Sequence, residues 1–263
     1  MDLDSQDVLG DSRYVVKPIY KAVRVLRTVC ESPVALSLKD IAELSEIPKS
    51  TVYRYLYTMQ KLDMITHDPQ AETYSPGLGL WWLMQTADPF ANLRQIGRRE
   101  RRKLMNRFNE TVNLGVLTGS QVLYLEIIES SRSLRMQAQP GTRDDVHSTA
   151  LGKALLGFRP RSQWKTLIPE KMVRRTEHTI VARDVFLANL EQVRRDGYAI
   201  EHGENEDGAT CIAAPILDEQ GASIASISVS LPTSRTSEEL IAEIVAAVIE
   251  TSQMIRSQLS TKY

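Results

Sequence analysis

Cys211 and His147 are the pair in this chain closest to catalytic chemistry, because a thiol becomes a nucleophile when a base takes its proton. They are distant in sequence and no third orienting residue stands out, so a buried, inert cysteine is the stronger reading. The four histidines, His67, His147, His178 and His202, show no close metal-ligand spacing, although His202 beside Glu201 offers two donors side by side. No Walker-type phosphate loop or dinucleotide fingerprint occurs. No cofactor and no metal are therefore expected.

A different chemistry is written in "LKDIAELSEIPKSTVYRYLYTMQKLDMI", Leu38 to Ile65. Two short amphipathic runs are separated only by Ser-Glu-Ile-Pro, and the second begins with Lys49, Ser50 and Thr51. Free N–H groups, the positive end of a helix dipole, hydroxyls and a cation together suit phosphate. Val52, Leu56 and Met59 repeat at helical spacing and would fix that helix on a core, with Ala42 permitting close approach and Ile47 covering the corner. Lys49, Ser50, Tyr53, Arg54 and Tyr57 then lie on the opposite face, available to phosphates and base edges. In a helix-turn-helix the second helix enters the major groove by its N-terminal residues.

The flanking elements must hold that helix in place. A helix is expected from near Pro18, with Ile19, Val23, Leu26, Val29 and Cys30 as its apolar positions. Ser37 followed by Asp40 resembles a capping box for the next helix, from about Leu38 to Leu44; the second runs from Pro48 or Lys49 to about Leu62. β-prone residues on both sides of "HDPQAE" give a hairpin signal. Three helices and a hairpin make a winged helix-turn-helix over residues 14–76; a helical core with no DNA role is the plainer alternative. "LGLWWLMQTA", residues 78–87, is a very apolar helix read as a linker that also dimerises, and the linker is placed at residues 77–88, before the helix-breaking Asp88-Pro89.

Residues 89–263 alternate strands and helices. "FANLRQIGRRERRKLMNRFNE" reads as one helix with apolar Leu93, Ile96, Leu104, Met105 and Phe108. Its seven Arg or Lys against one Glu between Arg94 and Arg107 suggest a solvated face or phosphate contact. "TVNLGVLTG" and "QVLYLEIIES" form a hairpin about Gly119-Ser120, and "SLRMQAQPG" a further short strand. "STALGKALLGF" and "RDVFLANLEQVRRDG" are helices, the latter closed by Gly197. "TCIAAPILDEQGASIASISVSL" is a strand hairpin, and a long helix ends the chain. Antiparallel strands with helices packed on them define an α+β domain. In "ASISVSL", Ile227, Val229 and Leu231 face one side and Ser226, Ser228 and Ser230 the other. That hydroxyl face either lines a site or meets solvent.

Composition sets the outer bounds. The 263 residues suit two domains, with 42% hydrophobic and 25% charged residues. A net charge of −1 gives no sign of a nucleic-acid partner, and residues 14–76 hold eight basic against seven acidic side chains. So weak a field predicts modest non-specific DNA binding and reliance on two or more copies. Two cysteines far apart point to a reducing compartment, the cytoplasm. The acidic start, residues 1–13, reads as loose and not as a signal peptide, and no stretch reaches the roughly 20 apolar residues of a membrane span.

In order and spacing, "LSLKDIAELSEIPKSTVYRYLYTM", "YSPGLGLWWL", "GTRDDVHSTALGKALL", "RRTEHTI", "RRDGYAIEHGENEDGATCIAAPI" and "IASISVSLPTSR" resemble the IclR family of bacterial transcription regulators, from about Val15 to Leu259. The resemblance implies an N-terminal winged helix on operator double-stranded DNA, a linker helix, and a C-terminal GAF-like domain that binds a small effector, a carboxylate or an aromatic acid or related compound of catabolism. It also implies a homodimer, with tetramers through the effector domains, and action as repressor, activator or both. Carried over by position, the effector pocket includes Ala150 and Leu151 at a helix start, Glu201, Cys211, Ser228 and Ser230.

The chain departs from the family pattern at Asp144 and Asp145, where an apolar residue and Pro are usual, and at Gly203 and Glu204, where two acids are usual. Two added carboxylates at the pocket mouth and one lost opposite argue for an effector less anionic than a bare oxo-acid, such as an aromatic amide or a polar neutral compound. Two classes remain in play: a ligand-controlled DNA-binding regulator, and a small-molecule enzyme using Cys211 with an appended helical domain.

Overall fold

The computed structural model describes residues 15–87 and 90–260. The expectations for residues 1–13 and for the Asp88-Pro89 break lie outside them. The chain divides into two compact units, residues 1–89 and 90–263.

In the first unit α1 (Lys17–Glu31), α2 (Leu38–Ser45) and α3 (Lys49–Lys61) pack around Val25, Val29, Ile41, Ile47, Val52, Leu56 and Met59. Ser37 caps α2 through a full capping box with Asp40. Glu46, left-handed at φ 53°, makes the corner into α3, and Arg24 holds its carboxylate at 2.9 Å. The wing is β2 (Ile65–Asp68) against β3 (Thr73–Pro76), with the two-residue β1 (Leu36–Ser37) on the other side of β3. The apolar stripe expected on α1 is rotated: Val25 and Val29 are buried with Ala22 and Leu26 beside them, while Ile19 and Val23 are exposed. Residues 22, 25, 26 and 29 keep the helical period, but α2, α3 and β3 cover only that side. The linker helix α4 spans Leu78–Ala87 and leaves Leu78, Trp81, Trp82 and Met84 60% or more exposed.

The second unit is built on six antiparallel strands in the order β6-β5-β4-β9-β8-β7. These are β4 (Thr111–Thr118), β5 (Gln121–Ile128), β6 (Arg143–Asp145), β7 (Ala199–His202), β8 (Ala209–Leu217) and β9 (Ser223–Pro232). One face carries α5 (Ala91–Gln95), α6 (Arg98–Phe108) and α10 (Glu238–Ser260) over Val112, Leu114, Ile227, Val229 and Leu231. The other carries α7 (Ala150–Gly157), α8 (Arg161–Leu167) and α9 (Arg183–Asp196) over Val122, Tyr124, Ala199 and Ala213.

Three expectations are corrected here. The single arginine-rich helix is two, α5 and α6, broken at Gly97, whose φ of 70° is left-handed and whose added Cβ would sit 2.3 Å from Ile255 Cγ1. Its arginines are not all solvated: Arg101 is 1% exposed and bonds the carbonyls of Ile96 and Arg94 and the carboxylate of Glu126. Residues 133–141 form no strand; the short edge strand lies later, at β6. The register of β4 on β5 slips between Leu114 and Gly115, leaving Leu125 as an extra residue. Such a bulge turns two successive side chains to one face, so Leu125 joins the α6 side of the sheet and Glu126 beside it reaches Arg101.

Candidate functional site

The candidate DNA-facing surface of the first unit follows from how α3 is held. Val52, Leu56 and Met59 are buried, which turns Lys49, Ser50, Tyr53, Arg54 and Tyr57 outward, all exposed, while Thr51 is half-buried. Pro48 precedes the helix and its carbonyl takes the N–H of Thr51 at 2.8 Å and of Val52 at 3.0 Å. The N–H groups of Lys49 and Ser50 are left at the positive helix end with no intrahelical acceptor. Tyr53 and Tyr57 stand side by side, ring centres 6.4 Å apart, and the Lys61 ammonium lies 5.3 Å above the Tyr57 ring.

The second unit holds a cavity of about 80 Å³, partly open to solvent, between the sheet and the start of α7. Ala150, Leu151, Glu201, Cys211, Ser228 and Ser230, residues from four separate elements, all line it. The reading of the serine face as open to solvent is overturned: Ser226, Ser228 and Ser230 are at most 5% exposed, and Ile227, Val229 and Leu231 fill the core on the opposite face.

Thr149 caps α7, accepting the Gly152 N–H at 3.1 Å, and leaves the first-turn N–H groups of Ala150 and Leu151 to the cavity. Asn113 Nδ2 donates to Ser228 Oγ at 3.1 Å and Ser230 Oγ at 3.0 Å, while its Oδ1 is buried with no partner. The Tyr124 hydroxyl donates to Asp144 at 3.0 Å. Burial, reinforced by the charge of Asp144, pushes the Tyr124 phenol well above its ordinary pKa. Burial also raises the Glu201 carboxyl, partly offset by Cys211 and by the Glu204 N–H, which donates to Glu201 at 2.7 Å.

The departures resolve unequally. Asp144 lines the cavity, but Asp145 is turned to Arg175 at 3.0 Å, so one added carboxylate, not two, faces the site. Gly203 sits at φ 66°, a left-handed position that suits glycine. Glu204 is ion-paired with the fully buried Lys153. The loop after β7 is further tied by Thr176 to the Gly203 carbonyl at 2.5 Å, Thr179 to the Glu204 carbonyl at 2.7 Å, and Ser148 to Asn205 at 2.8 Å.

Cys211 and His147 do not form a catalytic pair. His147 is fully buried, its Nε2 bonded to the Val173 carbonyl at 2.9 Å and its ring set edge-on to Phe186. Burial and the neighbouring Glu201 charge push the Cys211 thiol well above its ordinary pKa, the reverse of an activated thiolate. Among the described residues no group of three or more His, Cys, Asp or Glu could hold a metal ion. Asn113, Thr149, Asn205 and Glu206, which the sequence reading passed over, also line the cavity. A lone Asn within the apolar "TVNLGV" was a usable signal, but its pairing with Ser228 is a matter of register.

Fold, α3 surface and cavity together describe a ligand-responsive DNA-binding protein. Residues 89–257 match the bacterial transcriptional regulator IclR C-terminal domain, and residues 18–69 match the IclR helix-turn-helix domain. The chain belongs to the IclR family of transcription regulators. It is 34% identical over 259 residues to the HTH-type transcriptional regulator KdgR of Escherichia coli K12, covering 98% of this chain and 96% of that one. To the HTH-type transcriptional repressor AllR of Salmonella typhimurium it is 29% identical over 243 residues, 92% and 89% of the two chains. A crystal structure of an IclR homologue from Microbacterium hydrocarbonoxydans complexed with 4-hydroxybenzoate matches at TM-score 0.82 and 25% identity, over 93% of this chain and 99% of that one. Among the described residues no helix is long and apolar enough to cross a membrane.

Proposed function

We propose that this regulator is a cytoplasmic repressor of catabolic genes, released from its operator by a small organic effector seated in the cavity of the second unit. The observation that carries the reading is the convergence of Ala150, Leu151, Glu201, Cys211, Ser228 and Ser230 on one partly open cavity rich in hydrogen-bonding groups. Residues 14–76 act as the DNA-binding domain, 77–88 as the linker and 89–263 as the effector domain. Lys49, Ser50, Thr51, Tyr53, Arg54 and Tyr57 meet the operator. The effector is a carboxylate or an aromatic acid or amide, less anionic than a bare oxo-acid. The protein works without enzymatic turnover; burial pushes the Cys211 thiol up, which speaks against its use as a nucleophile.

Two copies act on one operator, joined through the exposed apolar face of α4, and pairs assemble further through the effector domains. A change in the α4 angle alters the separation of two α3 helices, which must match half-sites about one helical turn, or a multiple, apart. An effector shifts that balance only by binding the two arrangements unequally. A thermal-shift screen of catabolic acids, amides and hydrazide-like aromatics tests the reading, because a ligand of the folded state raises the melting temperature. A hit weakened by Ser228→Ala or Ser230→Ala supports it; a hit indifferent to both variants contradicts it.

A further inference from the structure

The cavity is chemically bipolar. At one end the first turn of α7 offers the N–H groups of Ala150 and Leu151 at a positive helix end, a setting for an anionic or carbonyl oxygen. The remaining wall presents acceptors. Asp144, Glu201 and Glu206 line it, and no Lys, Arg or His is among its lining residues. Two basic side chains nearby are already committed: Lys153 to Glu204, and Arg175 to Asp145. Asn113, 4% exposed, adds an Oδ1 with no donor facing it. A buried acceptor without a donor is costly, and it is relieved by a ligand that donates. A dianion would meet three carboxylates and find a single wall to receive it.

We propose, resting on the reading of this cavity as the effector site, that its ligand is zwitterionic, with a carboxylate at the α7 N-terminus and a protonated amine facing Glu201, Asp144 and the Asn113 carbonyl. Glu206, exposed at the rim, adds attraction during entry. The amine's three donors can satisfy two carboxylates and one amide oxygen together.

The test uses the full-length protein and two isosteric series measured by calorimetry at neutral pH. One is 4-(aminomethyl)benzoate, 4-(hydroxymethyl)benzoate and terephthalate; the other is 4-aminobutyrate, 4-hydroxybutyrate and succinate. The amine should bind tightest in at least one series, roughly ten-fold or more over the alcohol, as charge-assisted hydrogen bonds exceed neutral ones, with the dicarboxylate weakest. Glu201→Gln should remove most of the amine's advantage. An alcohol or dicarboxylate that binds as tightly as the amine in both series, or no binding by either amine, overturns the proposal. Ser228→Ala separates the two levels. Binding that it weakens but that favours the dicarboxylate refutes the zwitterion alone, whereas binding that it leaves unchanged refutes the cavity as effector site.

Discussion

Glu201 is a buried carboxyl in the wall of the cavity, and under the proposed function it would trade stability for recognition. It is 1% exposed and its pKa is raised, chiefly by burial. The native state therefore holds this proton more tightly than the unfolded chain does, so its contribution to stability falls as pH rises from the ordinary carboxyl value through the raised one. Glu201→Gln removes that penalty while keeping an oxygen for the Glu204 N–H. The variant should melt higher than the wild type at pH 7, the gap closing toward pH 4, and should bind cavity ligands more weakly. A lower melting temperature at pH 7 would contradict this reading. Arg101 is the opposite case, a buried cation that holds its element together. Arg101→Ala should cost about 3 kcal/mol in chemical denaturation, the lower end for a broken buried pair, because Arg98 remains 3.3 Å from Glu126. Neither partner was legible in the sequence. Arg101 looked like one of seven surface cations, and Glu126 reaches it through a bulge whose signal is absent from the local alternation.

At the scale of elements, α7 positions the cavity, and Gly152 positions α7. A Cβ at Gly152 would stand 2.4 Å from both Cα and O of Val146, backbone atoms that cannot rotate away. Gly152→Ala should therefore destabilise by more than the roughly 1–3 kcal/mol of ordinary overpacking and abolish ligand-dependent thermal shifts; a near-wild-type melting curve would contradict it. The helix-turn-helix elements were readable because each carries a local device: the Ser37–Asp40 box, the period of Val52, Leu56 and Met59, the turn between β2 and β3. The split between α5 and α6 was not, because Gly97 breaks the helix to admit Ile255, more than 150 residues later in the chain. The serine face of β9 was visible as alternation, yet its burial depends on α7 and β4, which sequence pattern alone cannot place. Its role as a pocket came from the family resemblance.

At the scale of the whole molecule, the proposed regulation needs two copies. Leu78, Trp81 and Met84 on α4 are 82%, 61% and 70% exposed, an apolar run that a soluble monomer rarely displays. The proposed pairing predicts a dimer in light scattering for the unaltered chain, and a monomer with weakened operator binding for Trp81→Glu; a variant that remains dimeric would place the interface elsewhere. The separate units also predict that residues 90–263 alone bind ligand but not DNA. The central claim is that one chain couples cavity occupancy to DNA affinity. It is tested most directly by fluorescence anisotropy of a genomically selected operator fragment, titrated with protein in the presence and absence of a cavity-binding compound. The account predicts a change in Kd within about 5- to 150-fold, the usual range of allosteric coupling, lost in Ser230→Ala at the same compound concentration, with Arg54→Ala abolishing binding in both conditions. An unchanged Kd with the cavity demonstrably filled would contradict it.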